Sequence, residues 1–514
     1  MKTRTEFPTA AGRARLSPAR RKTCEPPTGA LRTDAPHLAL PRASETILPA
    51  PDLTRRAFLG RSAGGLGFLA LQHLLPRNTH AAPVPSSSSP GHFAPRARAV
   101  ISLFQHGGPS QMDLFDPKPA LTKYGGKPYT AGPLEIHFDK QAGNVLPSPF
   151  QFHRHGQCGM ELSELLPHTA SIADHITLVR SMSTGSVDHE SALRIIHTGR
   201  FLAGLPSLGS WVLYGLGTEN ENLPAYVVLA DPGGLPVDGE RNWSSGWLPA
   251  VYQGTPFRSG STPVFNLHTP AGTSAAAREN QLAFLKTLNR GHAARYPENS
   301  ELTARIANFE TAARMQLAVP EALDLSGESA ATQRMYGLDN PVTAEYGRRC
   351  LLARRLVERG VRYVQLFLNG QPWDTHDKNA ERLKNLCART DQPSAALVRD
   401  LQQPGLLDTT AVLWTGEFGR LPISQGKDGR DHNRHAFSLW AAGGGFRAGH
   451  IHGATDDFGY RSVQDVVTVS DFHATLLHTL GLDHHRLTFP HEGRPASLTD
   501  PEVTHARVVR ELLG

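Results

Sequence analysis

Short apolar runs recur along the chain from about residue 98 onward. Each is six to nine residues long and rich in Val, Ile, Leu and aromatic residues, a composition typical of buried strands. The predicted strands span 98–105, 175–180, 224–229, 361–368, 411–418 and 437–445. We therefore expect the folded domain to begin near residue 98.

Amphipathic segments with helical spacing follow several of these strands. They span 187–199, 345–360, 394–402 and 470–482. Ser186 is the predicted N-cap of the first helix and Gly199 its predicted end. Strands that alternate with helices predict an α/β fold, a doubly wound, mainly parallel sheet with helices on both faces. Residues 235–340 are irregular and then helical, so we expect an inserted helical subdomain there.

Residues 1–82 have the features of a twin-arginine export signal. The pair Arg55-Arg56 precedes the apolar stretch SAGGLGFLALQHLL, and small residues around Ala81 predict a cleavage site. The apolar stretch is too short and too weakly hydrophobic for a stable membrane span. We expect removal of residues 1–82, a linker at 83–97, and a periplasmic or extracellular α/β domain at 98–514.

The basic charge of the chain belongs to this leader. The formal net charge is +6, but residues 1–82 carry 13 Lys and Arg against 5 Asp and Glu. The remaining chain is therefore slightly acidic. The composition gives no reason to expect a nucleic-acid-binding surface.

The loop after the strand at 361–368 contains the sequence Trp373-Asp374-Thr375-His376. Residues i and i+2 of an extended segment face the same side, so Asp374 and His376 can point at one ion. A carboxylate and an imidazole together suit zinc or another divalent transition metal. The alternative is a loop that carries polar residues because it is exposed.

The strand at 411–418 ends near Glu417, which a glycine and Arg420 follow. Ligands of doubly wound sheets bind beyond the carboxyl ends of the strands, so Glu417 is a candidate metal or substrate ligand. The alternative is a surface residue where the chain leaves the sheet. Further on, His432 and His435 would share one face if their segment is helical, and a solvated, charged loop is the alternative.

The segment RSMSTGS at 180–186 lies between a predicted strand and a predicted helix. The amino terminus of a helix favours phosphate or sulfate, and Arg180 can add a bidentate contact. The hydroxyl groups of Ser183 and Thr184 are candidate nucleophiles. Ordinary capping by Ser186 is the simpler interpretation of that serine.

Motifs spread over about residues 98–505 resemble those of the bacterial family called domain of unknown function 1501. They include QHGGPSQMDLFDPKP, LVRSMSTGSVDHESALRIIHTGR, CLLARRLVERGVRYVQLF, WDTH, GEFGR and GRDHNRHAFSLWAAGGGFRAG, in this order. That family is regarded as similar to sulfatases and alkaline phosphatases, which are metal-dependent esterases. The resemblance implies an alkaline phosphatase-like α/β fold and an exported protein.

The resemblance also implies a set of ligands for a divalent ion such as zinc, manganese or calcium. Carried over onto this sequence, the ligands are Asp374, His376, Glu417 and either His432 or His435. Phe418 stands where the superfamily has a ligating histidine, and the C-x-P-S-R nucleophile motif of sulfatases is absent from the sequence. These departures favour a single ion over a two-zinc site.

Two functions are consistent with these observations. The first is an exported metal-dependent hydrolase of sulfate or phosphate esters on small molecules or polysaccharides. Its nucleophile would be bound water or a hydroxyl near 181–186, and Arg180 or Arg420 would stabilise the anionic transition state. The second is a non-catalytic sulfatase-like protein that binds a carbohydrate or an anionic envelope ligand. The twin-arginine translocase is the expected partner during export.

Overall fold

The structure is a computed structural model that describes residues 91–258, 272–297 and 299–514. The predicted export signal at 1–82 lies outside the described residues, as does most of the predicted linker at 83–97. Within the described part of the chain, no helix combines the length and the apolar character needed to cross a membrane.

The strands of the described residues follow the predicted runs and add several shorter pairs. They are β1 (Ala99–Phe104), β2 (Ala142–Val145), β3 (Phe152–His155), β4 (Met160–Ser163), β5 (Ile176–Ser183), β6 (Tyr226–Leu229), β7 (Thr255–Phe257), β8 (Tyr363–Leu366), β9 (Thr410–Thr415), β10 (Gly419–Gln425), β11 (Gly429–Asn433), β12 (Phe437–Ala442), β13 (His450–His452), β14 (Ala454–Thr455), β15 (Ser462–Gln464), β16 (Val467–Thr468), β17 (Phe489–His491) and β18 (Arg494–Ala496).

Nine of these strands form the central sheet. Their order is β13-β5-β12-β9-β1-β8-β6-β7, and β16 pairs with β5. Strand β12 runs antiparallel to its neighbours β5 and β9, and the other described pairings in this sheet are parallel. The prediction of a mainly parallel α/β sheet is confirmed.

Helices connect and cover these strands. They are α1 (Gln111–Leu114), α2 (Pro119–Lys123), α3 (Pro167–Ala170), α4 (His189–Thr198), α5 (Leu208–Leu216), α6 (Ala275–Arg295), α7 (Ser300–Leu323), α8 (Ala330–Met335), α9 (Ala344–Glu358), α10 (Asn379–Gln402), α11 (Val469–Thr479) and α12 (Pro501–Thr504). The long helices α6 and α7 fall within the range predicted for the helical insertion. The helix predicted at 394–402 is the second half of α10.

Apolar cores lie on both faces of the sheet. Alternate residues of a strand point to opposite faces, so Ile101 of β1 packs in one core and Val100 in the other. The core around Ile101 includes Leu351 of α9 and residues of α10, whereas the core around Val100 includes Leu193 of α4 and residues of α11. Helices therefore cover both faces, as the sequence predicts for a doubly wound sheet.

Helix α4 begins and ends close to the predicted positions. Gly199 provides its C-cap with a φ of 83°, a left-handed conformation that glycine adopts without steric cost. The predicted N-cap is wrong, because Asp188 and not Ser186 accepts the hydrogen bond from the N–H of Ser191. The cap shift places His189 at the first position of the helix.

An antiparallel hairpin extends the chain beyond the carboxyl end of β9. Strands β10 and β11 pair with each other, and β2 adds to the outer edge of β10. This small sheet brings residues 429–433 back toward the loops that follow β1, β8 and β9. Those loops and the hairpin form the walls of the candidate site.

Candidate metal centre

Four side chains from three parts of the chain place ligand atoms close together. The atoms belong to His189, Asp374, His376 and His432, and all lie within 4.8 Å of one another. His189 opens α4, the pair Asp374 and His376 follows β8, and His432 lies in β11. A group of imidazoles and one carboxylate at this separation is suited to a metal ion.

The carboxylate of Asp374 lies at the centre of this group. Its Oδ1 atom is 3.0 Å from His376 Nε2, 3.2 Å from His432 Nε2 and 3.3 Å from His189 Nε2. The Nε2 atom of His189 is buried and makes no hydrogen bond. Three imidazoles therefore direct the same ring atom at one carboxylate oxygen.

The other ring nitrogen of each histidine is held by an acceptor. His189 Nδ1 lies 2.7 Å from Glu417 Oε1, and His432 Nδ1 lies 2.7 Å from the Val187 carbonyl oxygen. His376 Nδ1 contacts the side-chain oxygen of Gln425. Histidines that ligate metals are commonly oriented in this way, with the second nitrogen bonded to a carboxylate or a carbonyl.

These contacts fix where the ring protons lie. A neutral imidazole carries one proton, and a carbonyl or a carboxylate oxygen can only accept, so Nδ1 of His189 and of His432 carries it. The lone pairs of their Nε2 atoms then face Asp374 Oδ1, which is also electron-rich. Such a contact is repulsive unless a cation lies between the atoms. The residues present therefore fit a metal ion.

The pKa values of the group differ between His189 and His432. Burial lowers the pKa of His432 to about 4; the contact with Asp374 opposes this effect, and the charge of Arg420 adds to it. Burial alone would raise the pKa of Asp374, but its contacts with the three histidines and the charge of Arg420 hold that pKa well below the usual range. Burial would lower the pKa of His189, but its contacts with Asp374 and Glu417 raise it. At neutral pH His432 is uncharged and Asp374 is ionised, and either a proton on His189 or a metal ion supplies the positive charge between His189 Nε2 and Asp374 Oδ1.

Glu417 lies behind His189 and is not one of the four clustered ligand atoms. Strand β9 ends at Thr415, and the carboxylate of Glu417 is fully buried two residues later. It accepts from the Gly107 N–H at 2.9 and 3.1 Å in addition to its contact with His189. Burial would raise the pKa of Glu417, but His189 lowers it. Glu417 is therefore not a surface residue at the point where the chain leaves the sheet.

Gly107 is required by the closeness of two loops. Its φ is 115°, and a Cβ atom there would lie 2.5 Å from the backbone nitrogen of Asp374. A larger residue would push the loop after β1 away from the loop after β8. The glycine thereby lets one N–H group reach Glu417.

Arg420 is fully buried and positions Asp374. Its Nη2 atom donates to Asp374 Oδ1 at 2.7 Å. Nη2 also contacts the carbonyls of Gly107 and Trp373, and Nε and Nη1 donate to the carbonyls of Gly108 and Arg430. The sequence suggested that Arg420 stabilises a transition state. That role stays a prediction, and the contacts of Arg420 hold the loops that carry the candidate ligands.

His435 lies apart from the group. A helix would place His432 and His435 on one face, but residues 429–433 form strand β11. The Nε2 atom of His435 lies 2.8 Å from Glu135 Oε2, so this histidine has a carboxylate partner outside the ligand group. The helical interpretation of this segment is wrong because the chain forms a hairpin there.

The predicted anion site lies at the end of β5. Ser183 is the last residue of that strand, and the Thr184 N–H donates to the Arg434 carbonyl at 3.0 Å. The Thr184 hydroxyl is buried without a hydrogen-bond partner. Arg180 Nε lies 4.0 Å from Asp116. Among the hydrogen bonds of the described residues, none joins these three side chains to the four ligand residues.

Sequence reasoning did not identify His189 as a ligand. The histidine lies near the start of the helix predicted at 187–199. The available signal was its position, because the helix follows the carboxyl end of β5 and so begins at the same edge of the sheet as the other ligands.

Phe418 packs between two of the histidines. Its ring centroid lies 4.7 Å from that of His189 and 4.6 Å from that of His432. The side chain is fully buried. An apolar wall therefore occupies the position where the resemblance would place another metal-ligating histidine.

Comparison with known proteins places the chain in one family. Residues 97–513 match the model of a family described as a protein of unknown function, DUF1501, as its motifs suggested. A comparison with curated proteins found no match.

Solved structures with distant similarity include a lipoteichoic acid synthase, a sulfatase and an alkaline phosphatase. The lipoteichoic acid synthase LtaP from Listeria monocytogenes is 9% identical, with 79% of this chain and 78% of that chain covered and a TM-score of 0.33. The PsFucS1 sulfatase from Pseudoalteromonas sp. is 13% identical, with 75% and 68% covered and a TM-score of 0.31. An alkaline phosphatase from the Antarctic bacterium TAB5 is 10% identical, with 75% and 98% covered and a TM-score of 0.28. At this distance the function has to be inferred from the residues of the chain itself.

Proposed function

We propose that this chain, which belongs to the DUF1501 family of proteins of unknown function, is a metal-dependent hydrolase of sulfate or phosphate esters. The observation that supports the proposal is the convergence of three imidazole Nε2 atoms on one oxygen of Asp374. Each imidazole is oriented through its Nδ1 atom, which prepares the group to receive an ion.

Zinc is the ion that the ligand set favours. Three nitrogens and one carboxylate oxygen are ordinary zinc ligands, and manganese or iron would accept the same donors. Calcium prefers six to eight oxygen ligands, which this group does not offer. Of the three ions expected from the sequence, the donor chemistry therefore favours zinc or manganese over calcium.

A bound ion of this kind polarises an ester oxygen and lowers the pKa of a coordinated water. The residues of the chain supply the rest of the site. Glu417 fixes the ring of His189, and Arg420 holds Asp374 in place. His376 and Asp374 are the most exposed of the four ligands, at 26% and 17% of their side chains. A substrate would approach from that side.

A water molecule is the proposed nucleophile, because Ser183 and Thr184 lie apart from the ligands in the hydrogen-bond network. The same separation favours a second candidate function. In that case the chain binds a metal ion and an anionic or carbohydrate ligand without hydrolysis. The two candidates share the metal centre and differ in turnover.

Export by the twin-arginine pathway is part of the proposal. It is supported by the order of the arginine pair, the apolar stretch and the small residues near Ala81. The amino-terminal sequence of the protein recovered from the periplasm should begin near residue 83. A protein that retained residues 1–82 in the cytoplasm would contradict this part of the proposal.

Metal content and hydrolysis test the proposed function together. We expect one zinc per chain in the wild type and loss of zinc in His189→Ala and in His432→Ala, measured by elemental analysis after dialysis. His435→Ala is the matched control and should retain zinc, because His435 pairs with Glu135 instead. A wild type without stoichiometric metal would contradict the proposal.

The zinc-loaded protein is then assayed on an aryl sulfate, a phosphomonoester and a phosphodiester. Turnover that is lost in His189→Ala and kept in His435→Ala supports the hydrolase. Stoichiometric zinc without turnover on any of the esters would favour the second candidate.

A further inference from the structure

We infer that Phe138 is a binding surface for a ring-shaped part of the ligand beside the metal centre, an inference that rests on the proposed function. Phe138 is a large apolar residue with 39% of its surface exposed. Its ring contacts His376 edge-on, with centroids 5.2 Å apart and an angle of 88°. It also lies 6.3 Å from the ring of His432. The exposed ring therefore borders the more open side of the ligand group.

The backbone at Phe138 is fixed to the strand that carries a metal ligand. The N–H groups of His137 and Phe138 both donate to Asp431 Oδ2, at 2.9 and 2.8 Å. Asp431 is buried, and its Oδ1 atom accepts from the N–H of His432 at 2.8 Å. The ring of His137 also stacks on that of His432 at 5.3 Å. The buried carboxylate of Asp431 thus connects the segment that carries Phe138 to the strand that carries His432.

A second attachment holds the other end of the same segment. The Gly426 N–H donates to the Gln141 carbonyl at 2.8 Å, and the Gln425 amide donates to Gln141 Oε1 at 2.9 Å. Gln425 is also the residue that orients His376. Both ends of the segment 137–141 are therefore bound to the strands that position the metal ligands. An isolated exposed aromatic residue on a surface has no such attachment.

The chemistry of this surface indicates the class of ligand. An aromatic ring held beside a metal centre can stack on a flat apolar face while an attached anionic group reaches the ion. An aryl ring and the C–H face of a pyranose both offer such a face. A short alkyl group offers little area. The surface therefore predicts that the centre prefers phosphate or sulfate groups carried on a six-membered ring.

Binding to zinc-loaded protein tests the inference without requiring turnover. Phenyl phosphate, glucose 6-phosphate and ethyl phosphate are titrated by calorimetry into the wild type, Phe138→Ala and Phe138→Trp. We expect Phe138→Ala to lower the affinity for phenyl phosphate, for glucose 6-phosphate or for both by about 2- to 12-fold, which is the range of one aromatic contact. The affinity for ethyl phosphate should change little. Phe138→Trp should still bind the two ring-containing phosphates more tightly than ethyl phosphate. Comparison of phenyl phosphate with glucose 6-phosphate distinguishes an aryl ligand from a sugar.

The control is Phe309→Ala, because Phe309 is an exposed phenylalanine on α7. It should leave the affinities for all three probes unchanged. Equal weakening of ethyl phosphate and the ring probes in Phe138→Ala, or no weakening of either ring probe, would overturn the inference. Zinc content measured in each variant separates these results from loss of the metal. Ring-dependent binding without any ester hydrolysis would contradict the proposed hydrolase and leave the binding surface in place.

Discussion

Asp113 and Asp374 both pair with a buried arginine, yet their surroundings differ. Asp113 is fully buried and receives a bidentate contact from Arg430 at 2.8 and 3.1 Å. The hydroxyl of Ser110 and the amide of Asn379 donate to the same carboxylate at 2.7 and 2.9 Å. Every one of these partners has a proton to donate. Asp113 is therefore satisfied by the protein alone.

Asp374 has contacts that the protein alone does not satisfy. It receives one hydrogen bond from Arg420, but the neutral imidazole of His432 presents a lone pair to the same oxygen, and the buried Nε2 atom of His189 faces that oxygen without a hydrogen bond. The comparison shows that a buried acid with an arginine partner is not by itself a functional site. The protonation of the remaining partners distinguishes a structural ion pair from a candidate metal centre.

Removal of the charge at Asp113 should have the largest effect on folding. Asp113→Asn leaves the Arg430 guanidinium buried without its counter-charge, so the free energy of unfolding should fall by about 3 to 5 kcal/mol. Urea unfolding at neutral pH measures the change. Asp457→Asn is the control, because Asp457 is exposed and should change stability by less than about 0.5 kcal/mol.

The same pair should depend on pH in a defined direction. Burial would raise the pKa of Asp113, but the charge and hydrogen bonds of Arg430, with those of Ser110 and Asn379, hold it below the usual 3.8. Because the pKa is lower in the folded state, the contribution is complete above the unfolded pKa and is lost as pH falls through the folded one. The gap in stability between wild type and Asp113→Asn should narrow below pH 3.8. A gap that widens on acidification would contradict the ion-pair interpretation.

Removal of the charge at Asp374 should instead abolish the response to metal. At a free zinc concentration of 100 times the Kd, binding stabilises a folded protein by about 2.7 kcal/mol. That gain should disappear in Asp374→Asn, because the group then has no carboxylate ligand. Asp377→Asn, an exposed neighbour, should keep it. Urea unfolding with and without zinc makes the measurement, and a full zinc response in Asp374→Asn would contradict the comparison.

A smaller effect is expected from the carboxylate behind His189. Glu417→Gln keeps an acceptor near His189 Nδ1 but removes the charge, so zinc affinity should fall by about 10- to 100-fold while the stoichiometry stays at one. Glu135→Gln is the matched control, because Glu135 contacts His435 in the same way outside the ligand group. Titration with zinc compares the two. Similar losses in both variants would show a general effect of charge and not an effect through His189.

Local patterns predicted most of the sheet and part of the site. Apolar runs identified the central strands because a strand covered on both faces needs continuous apolar residues. The spacing of Asp374 and His376 predicted that they act together, and their side chains lie 3.0 Å apart. The place of Glu417 near a strand end was informative about the location of the site. Its partner His189 could not be predicted from the sequence, because His189 lies in another element, 228 residues away.

The parts that sequence reasoning missed depend on contacts between distant segments. His189 becomes a candidate ligand only when α4 is placed beside the loop after β8. His432 can be told apart from His435 as a candidate ligand only when the hairpin is known. The hairpin follows from pairing between β10 and β11, and the charged residues of 429–435 gave no apolar run to indicate it. Long-range pairing, and not local propensity, decided which histidines meet.

The separation of the ligands along the chain has a consequence for the order in which the site is assembled. His189 and Glu417 are 228 residues apart, and Asp374 and His432 are 58 residues apart. Contacts across such distances form late, because the loops between them must close first. A nascent chain that has not reached β11 cannot present all four ligands. An ion that binds at this centre would therefore be selected in the compartment where folding ends, wherever the protein later works.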